Sequence, residues 1–540
     1  MRKAILITTM MILASGLTSA QAPTAPAAAA PSTLRLTVDD AVRMAVDHNI
    51  DLAAARLDPQ IGDARVAAAA GAFRPTFNTG LQRVNQLQPP SSFLVPTATR
   101  NDAITSRAGL DQKLPWFGTS YSLSWNAVHT DSNSFLNSYN PLLESGLSLS
   151  VSQPLVRDMA IDGARLQVAT SRIDREIAGT RLQENVVHTT AKVKSAYWNL
   201  VTAIGNVDAR KAALDLAQEL VRVNSVKVDV GQSPPLDLVA AQAEVAADRE
   251  QVIIAETAVR QIEDELRTLI FDTSDRSVWT LRIDPIDPPP LGRSSPDLEA
   301  AVTNALRDRA DLARARKDID NARVSVKFTG NQRLPDVRLN ASYLSSGLGG
   351  TQVLRTGGFP GTIVGPGAGT SFASVLNQLF TGQYSTWAVG VNVSYPIGQA
   401  TEEANHTRAR LEHQQSQERL KSAESRAVQQ VRDAWWKIDM NARRIETTRA
   451  ARELAEQRLD AERKRLDVGM STSFLVIQAQ RDLAQARTSE LAATLAYDLA
   501  LVDFEALQQA GPDDQERSSP AVVSSVTPRA GAAQPAGSQR

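Results

Sequence analysis

The feature that most constrains this chain is an internal duplication that runs through most of its length. The alanine, aspartate and leucine positions of Ala41 to Arg56 recur 260 residues later in Ala301 to Arg316. Two further motifs recur at a constant offset of 238 residues: Ala196-Tyr197-Trp198 as Ala434-Trp435-Trp436, and Asp229-Val230-Gly231 as Asp467-Val468-Gly469. The constant offset leaves no room for an insertion between these motifs, so the sequence predicts two structural repeats, 36–295 and 296–510.

Each repeat contains a long stretch without proline, which is typical of an uninterrupted helix. No proline occurs between residues 156 and 229 or between 397 and 511, and proline inside a helix costs roughly 3 kcal/mol. Each helix would have about 70 residues and extend on the order of 100 Å. With the segments that follow them, these stretches predict two antiparallel helical hairpins, 156–271 and 397–510.

The apolar residues of the two long helices are spaced in alternating steps of four and three. The positions are Val193, Tyr197, Leu200, Ile204 and Val207 in the first helix, and Val431, Trp435, Ile438, Ala442 and Ile445 in the second. This spacing is typical of a coiled-coil seam. An ordinary bundle helix is the alternative, although such helices rarely exceed about 25 residues.

Segments with alternating apolar and small polar residues lie between the helical parts. In the clearest one, every second residue from Trp387 to Tyr395 is apolar, with an aromatic residue at each end. Eight residue steps correspond to roughly 26 Å in a strand, about the height of a lipid-facing band between two aromatic girdles. We therefore predict a transmembrane β-strand with Trp387 and Tyr395 as membrane girdle residues. A soluble sheet with one wet face is the alternative.

Three more strands are predicted around Phe77, Leu147 and Val337, which gives four good strands in one chain. A transmembrane barrel needs about eight strands to close, so several chains must share one barrel. The insert 86–144 contains a further predicted hairpin, with a turn from Pro115 to Gly118. We expect this insert to form an extracellular flap; the alternative is that it adds strands to the barrel.

Both ends of the chain differ in composition from the repeats. Residues 1–20 carry Arg2 and Lys3, an apolar stretch and then Thr18-Ser19-Ala20, the order of a secretory signal peptide. A membrane anchor is the alternative, but the apolar stretch is short and an Ala/Pro-rich linker, 21–35, follows it. The tail 511–540 is rich in Pro, Ala, Ser and Gly and is expected to be disordered.

The overall composition excludes several classes of function. The formal net charge is −1, which argues against a nucleic-acid partner. The chain has no cysteine, so disulfides, thiol catalysis and cysteine-ligated zinc are excluded. The five histidines form no HExxH motif and no GxSxG motif is present. We therefore predict a protein that is not an enzyme and has neither a metal site nor a cofactor.

Several motifs, taken in order, make the sequence resemble the TolC-type outer-membrane efflux family. They are Leu36 to Val42 with Ala45 and Asn49, Phe73-Arg74-Pro75, Gln153-Pro154-Leu155, and the paired turns Val230 to Ser233 and Val468 to Ser471. The resemblance implies an internally duplicated α+β fold in which a homotrimer forms a twelve-stranded barrel in outer-membrane lipid. A helical barrel of six hairpins would continue it through the periplasm. The implied function is a passive, gated exit duct for efflux or type I secretion.

The resemblance also implies that the two hairpin turns contact a periplasmic adaptor protein, and through it an inner-membrane pump. These turns are Val230, Gly231, Gln232 and Ser233 in the first repeat, and Val468, Gly469, Met470 and Ser471 in the second. The glycine is expected to end one helix in the left-handed conformation, and Ser233 or Ser471 to cap the next. A plain turn between two helices explains these residue types equally well.

Asp237 lies just past the first turn, where some relatives carry acidic rings at the periplasmic gate, whereas Leu475 and Gln478 occupy the matching places in the second repeat. In a trimer, three Asp237 carboxylates would form a modest cation-attracting filter. Asp237 would equally serve as a first-turn acid that complements the helix dipole. A periplasmic coiled-coil adaptor or structural protein is the alternative for the whole chain. The duplication favours the channel, because an adaptor is expected to contain a single hairpin.

Overall fold

The structure is a computed structural model. It describes residues 33–90, 97–134, 136–272, 274–288, 296–358, 361–395, 397–398 and 400–513. The predicted signal peptide 1–20, most of the linker 21–35 and most of the tail 511–540 lie outside the described residues. Within the described ranges, no helix is long and apolar enough to cross a membrane.

The described residues contain ten α-helices and nine strands, numbered in chain order. The helices are α1 Val38–His48, α2 Ile50–Ala55, α3 Leu57–Ala70, α4 Gly163–Asp229, α5 Pro235–Ile270, α6 Leu298–Asp308, α7 Ala310–Gln332, α8 Phe372–Thr381, α9 Ala400–Asp467 and α10 Ser473–Leu507. The strands are β1 Thr33–Leu36, β2 Thr76–Gln88, β3 Thr99–Lys113, β4 Ser120–Ser132, β5 Tyr139–Pro154, β6 Arg282–Pro285, β7 Asp336–Thr356, β8 Thr362–Thr370 and β9 Tyr384–Ser394.

The predicted long helices are present, with 67 residues in α4 and 68 in α9. The first one begins later than the proline pattern predicted, at Gly163 instead of residue 156. Asp158 has a φ of +64°, which a helix does not allow, so the chain turns before the helix starts. Asp162 then caps the helix, since its carboxylate accepts a hydrogen bond of 2.9 Å from the Arg165 N–H.

The sequence duplication is repeated in the packing of two equivalent cores. In the first, the buried Ala41 and Ala45 of α1 lie against Val193, Ala196 and Tyr197 of α4. In the second, Ala301 and Ala305 of α6 lie with Val431 and Ala434 of α9. Because alanine is small, each short helix can pack closely against its long helix. Each core therefore fixes one end of its repeat against one long helix.

An aromatic residue at the same repeat position donates a hydrogen bond in each core. The Tyr197 hydroxyl donates to the Leu36 carbonyl at 3.0 Å, and the Trp435 Nε1–H donates to the Pro296 carbonyl at 2.9 Å. Burial raises the pKa of Tyr197 to about 12, so the hydroxyl stays protonated. These bonds tie the chain entering each repeat to its long helix.

The predicted seam of each long helix is buried or half-buried along its length. Val193, Tyr197 and Leu200 are fully buried, and Val431 and Ile438 are buried at the equivalent places. The seam residues contact the short helices as well as the antiparallel partner helix. The apolar periodicity therefore identified the inward face correctly.

The long strands form one antiparallel sheet in the order β2-β3-β4-β5-β7-β9, and the short β8 pairs with the far end of β7. All four predicted strands are present, as β2, β5, β7 and β9. The expectation of a flap is wrong, because β3 and β4 lie inside the sheet. They pair continuously with β2 on one side and β5 on the other. The insert therefore adds two strands to the sheet.

Candidate channel entrance and outer-membrane sheet

The two hairpin turns have the same geometry, as their matching sequences predicted. Gly231 and Gly469 have φ angles of +71° and +76°, the left-handed conformation that glycine adopts without strain. The next residue in each turn bonds back five residues, from the Gln232 N–H to the Lys227 carbonyl and from the Met470 N–H to the Arg465 carbonyl. Both helices thus end in the same hydrogen-bonded glycine motif.

The predicted capping by the turn serines is wrong. Helix α5 begins after Pro234 and α10 after Thr472, and neither has a side-chain cap within the described part of the chain. The Ser471 hydroxyl instead donates to the Glu462 carboxylate of the preceding helix at 2.7 Å. Proline supplies the first-turn geometry of α5, because its fixed φ already suits a helix.

Large apolar side chains are exposed at both turns. Val230 is 62% exposed, Val468 70% and Met470 79%. Leu236 and Phe474, which begin the helices after the turns, are also exposed. Exposure of clustered apolar side chains to water costs free energy. Such a surface is therefore typical of a contact with another protein.

Asp237 lies in the first turn of α5, as its sequence position predicted, and its side chain is half-buried. Its backbone carbonyl accepts a hydrogen bond of 3.3 Å from the Asn224 amide of α4. Leu475 of the second repeat is exposed in the first turn of α10. The position in the first turn suits both the filter and the helix-dipole interpretations of Asp237.

Side chains that the sequence analysis did not single out tie the two hairpins together near their tips. The Ser473 hydroxyl of α10 donates to the buried Asn224 side-chain carbonyl of α4 at 3.1 Å. The Lys227 ammonium donates to the Leu466 carbonyl of α9 at 3.2 Å. These bonds join the first hairpin to the second, so relative movement of the tips must break them.

An ion pair also joins α5 to α10. The Arg481 guanidinium donates two hydrogen bonds to the Glu244 carboxylate, at 2.8 and 2.5 Å. The Glu244 side chain is 7% exposed and that of Arg481 60%. The sequence could have drawn attention to Glu244, because Asp482 lies 238 residues later, at the equivalent position of the second repeat, and is also acidic. Asp482, however, pairs with Arg458 inside the second hairpin, so equivalent acids have different partners.

A second, half-buried carboxylate, that of Asp248, lies one turn further along α5. Burial raises the pKa of the Asp248 carboxyl, and the neighbouring negative charge of Glu244 raises it further. Arg481 and Arg210 act in the opposite direction. Arg481 therefore compensates Glu244 directly, and it shares the compensation of Asp248 with Arg210.

The six long strands share one apolar face. Residues paired across the sheet form a row with one member from each strand: Phe77, Leu110, Leu123, Leu149, Tyr343 and Trp387. The opposite face carries a parallel row of mostly small polar residues: Thr76, Asp111, Ser122, Ser150, Ser342 and Ala388. The members of this second row line a single concave surface, so the sheet curls with the polar face inside.

Trp387 lies on the apolar face of the sheet, and Tyr395 continues the same alternation one residue past the end of β9. Trp387 pairs with Tyr343 in β7, and Tyr395 immediately follows the last residue of β9. Both side chains are exposed, as are Val389, Val391 and Val393 between them. The structure therefore presents the alternation predicted for this strand on the outside of the curl.

Comparisons with known proteins identify the family. The profile described as "Outer membrane efflux protein" matches residues 97–270 and 301–508, which is more than half of the chain. The chain belongs to this family. No curated protein matches the chain.

Solved structures share the fold at low sequence identity. The CmeC outer membrane channel of Campylobacter jejuni is 15% identical, with 87% of this chain and 85% of that chain covered and a TM-score of 0.61. A membrane protein of Pseudomonas aeruginosa is 15% identical, with coverages of 92% and 97% and a TM-score of 0.63. The open state of the MtrE channel of Neisseria gonorrhoeae is 17% identical, with coverages of 88% and 89% and a TM-score of 0.58.

Family membership and fold assign this chain to the outer membrane, where it extends into the periplasm as an efflux channel. The TolC-type resemblance and the duplicated α+β fold of helical hairpins and barrel strands are confirmed. The periplasmic adaptor alternative is not favoured, because this family consists of the channels. Among the described residues, no cluster of three acidic or histidine side chains could hold a metal ion.

Proposed function

We propose that three copies of this chain form a passive exit duct through which a pump drives its cargo, with no chemical step in the channel. The observation that carries the proposal is the sheet, whose outermost long strands, β2 and β9, have no partner on their outer sides within the described residues. An open edge in a membrane leaves backbone N–H and C=O groups unpaired, so the barrel requires other chains. A head-to-tail arrangement of copies around one axis would close it.

The exposed apolar tips support contact with a periplasmic adaptor protein, and through it with an inner-membrane pump. Val230, Val468 and Met470 would meet apolar side chains of the adaptor, and the Gly231 and Gly469 turns would hold them in place. Asp237 would lie at the periplasmic gate, and Trp387 and Tyr395 would mark the membrane girdle. The side-chain ties between the hairpins would hold the entrance closed until the adaptor or the pump displaces them.

The first experiment is to isolate the mature chain from outer membranes and measure its particle mass in detergent. The proposal expects a detergent-dependent trimer that forms channels in planar bilayers without an energy source. A soluble monomer from the periplasm would contradict it.

The adaptor contact requires a separate test. Photo-crosslinking residues placed at Gln232 and at Met470 are expected to capture an adaptor in cells that contain the pump. The same residue at the exposed Arg408, far from the turn on α9, is the control and should capture none. Equal capture at all three positions would refute a specific contact at the tips.

A further inference from the structure

We propose that β3 and β4 cross the outer membrane together with the other four long strands, so that the trimer closes an eighteen-stranded barrel. The resemblance described above implies twelve strands, four from each chain. The total of eighteen strands rests on the proposed trimer, but the number of strands per chain does not. A barrel of eighteen strands would have a wider exit than one of twelve.

The first argument is the continuity of the apolar face through the insert. Leu110 of β3 and Leu123 of β4 pair with each other, and their outer neighbours in the same row are Phe77 and Leu149. In the next row, Ala108 pairs with Trp125. Strands of a flap in water would have no reason to continue the lipid-facing row, whereas strands that cross the membrane must do so.

The second argument is length and curvature. Strands β3 and β4 have 15 and 13 residues, compared with the roughly 9–11 residues that cross a bilayer. Asp111 and Ser122 line the same concave polar surface as Thr76 of β2 and Ala388 of β9. The insert therefore follows the curl of the other strands and contributes to its polar lining.

The third argument is where the β3–β4 turn lies. The Lys113 ammonium is 3.1 Å from the Asp162 carboxylate, which caps the long helix α4. The Phe117 carbonyl accepts a hydrogen bond of 3.1 Å from the Gln153 amide at the end of β5. The turn thus lies beside the helices, at the periplasmic end of the sheet. An extracellular flap would place it at the opposite end.

Burial alone would raise the pKa of the Asp162 carboxyl, but hydrogen bonds from Arg165 and Lys113 outweigh burial and lower it. The carboxylate is therefore charged at neutral pH, and its ion pair with Lys113 at the end of β3 holds the β3–β4 turn beside the helix. Trp116 and Phe117 are exposed in this turn, at the level where aromatic residues are enriched beside a bilayer. The ion pair and the two aromatic side chains anchor the insert where the sheet meets the long helices.

The fourth argument is that the remaining edges suit closure between chains. Strand β2 leads away from the helices and β9 returns towards them, so β9 of one copy can pair antiparallel with β2 of the next. Three copies of six strands give eighteen, an even number as an antiparallel barrel requires. Because barrel diameter grows roughly with strand number, the exit would be about 1.5 times as wide as with twelve strands.

A topology experiment tests the number of strands per chain, and the absence of native cysteine makes it direct. Trp116→Cys and Pro115→Cys place single thiols in the exposed β3–β4 turn, and Ser138→Cys places one in the exposed β4–β5 connection as the control. A large polyethylene-glycol maleimide is added to intact cells that export each variant. The expected result is that Ser138→Cys is modified on intact cells, whereas both turn variants are modified only after the outer membrane is opened.

Modification of both turn variants on intact cells, to the extent seen for Ser138→Cys, would overturn the proposal, because the β3–β4 turn would then lie outside the cell. Two turn variants guard against poor export of one of them. Particle mass keeps this test separate from the proposed trimer. A trimer with surface-exposed turn thiols would retain the duct and lose the wide barrel, whereas protected thiols in a monomer would refute the trimer. Electron cryomicroscopy of the particle should then resolve eighteen strands around the barrel, and twelve would refute the inference.

Discussion

Arg481→Ala removes the ion pair that joins α5 of the first hairpin to α10 of the second. The variant loses both hydrogen bonds to Glu244 and leaves that carboxylate buried without its cation. If closure of the entrance requires α5 and α10 to stay together, the variant should shift the channel towards open states. The fold itself should persist, because the two repeat cores lie elsewhere on the long helices and the substitution leaves the apolar cluster beside the pair, which includes Ala241 and Leu483, unchanged.

The magnitude follows from the geometry of the pair. Hydrogen bonds to charged groups contribute roughly 1.5–3 kcal/mol each, but Arg481 is largely exposed and solvent screens its charge. A discounted value of about 2 kcal/mol for the pair corresponds to about a 30-fold change in an equilibrium constant for each chain. A change of this size would raise the open probability of single channels well above the wild-type value.

Single-channel recording in planar bilayers measures the effect, with Arg458→Ala as the matched control. Arg458 bonds Asp482 at 2.8 Å, but both residues belong to the second hairpin, so this bond does not join the hairpins. The control should leave the open probability unchanged. An unchanged open probability in Arg481→Ala, or an equal increase in both variants, would refute the assignment of this ion pair to closure.

Three further predictions concern single residues. Burial raises the pKa of Asp498 to about 7, so ionising it costs folding free energy from about pH 4 upwards, to at most about 4 kcal/mol above pH 7. Asp498→Asn should therefore raise the melting temperature more at pH 8 than at pH 5, and a pH-independent difference would contradict this. Tyr197→Phe leaves the Leu36 carbonyl without its hydroxyl donor and should cost about 1–2 kcal/mol in chemical unfolding, whereas no loss would show that water replaces the hydroxyl. Asp237→Ala should reduce cation selectivity and block by divalent ions; unchanged values would leave Asp237 as a helix-dipole residue only.

Periodicity and duplication were sufficient to predict the two helical hairpins and four of the six long strands. A proline-free stretch with an unbroken four-three pattern allows little besides a long helix, and the structure has helices of 67 and 68 residues there. Alternation over β9 was equally decisive, because only a strand puts Val389, Val391 and Val393 on one face. Patterns of this kind report local geometry, which the backbone fixes without reference to distant residues.

Long-range partners could not be predicted in the same way. Ser471 has the residue type and position of a helix cap, yet its hydroxyl bonds Glu462 on the preceding helix. The sequence did not distinguish the two outcomes, because both satisfy the hydroxyl. The β3–β4 hairpin was recognised as strands, but its place in the sheet depends on pairing with β2 and β5. Pairing between strands separated by long loops leaves only a weak trace in one sequence.

The differences between the two repeats show where the channel departs from twofold internal symmetry. Both copies retain the same core alanines and the same glycine turn, since each repeat needs one anchored helix and one hairpin. They diverge near the tips, where Glu244 bonds across hairpins and its counterpart Asp482 bonds within one. If the proposed gate opens by separating the two hairpins, the bonds that Glu244, Asn224 and Lys227 make across them must break. The bond between Asp482 and Arg458 within the second hairpin can stay intact.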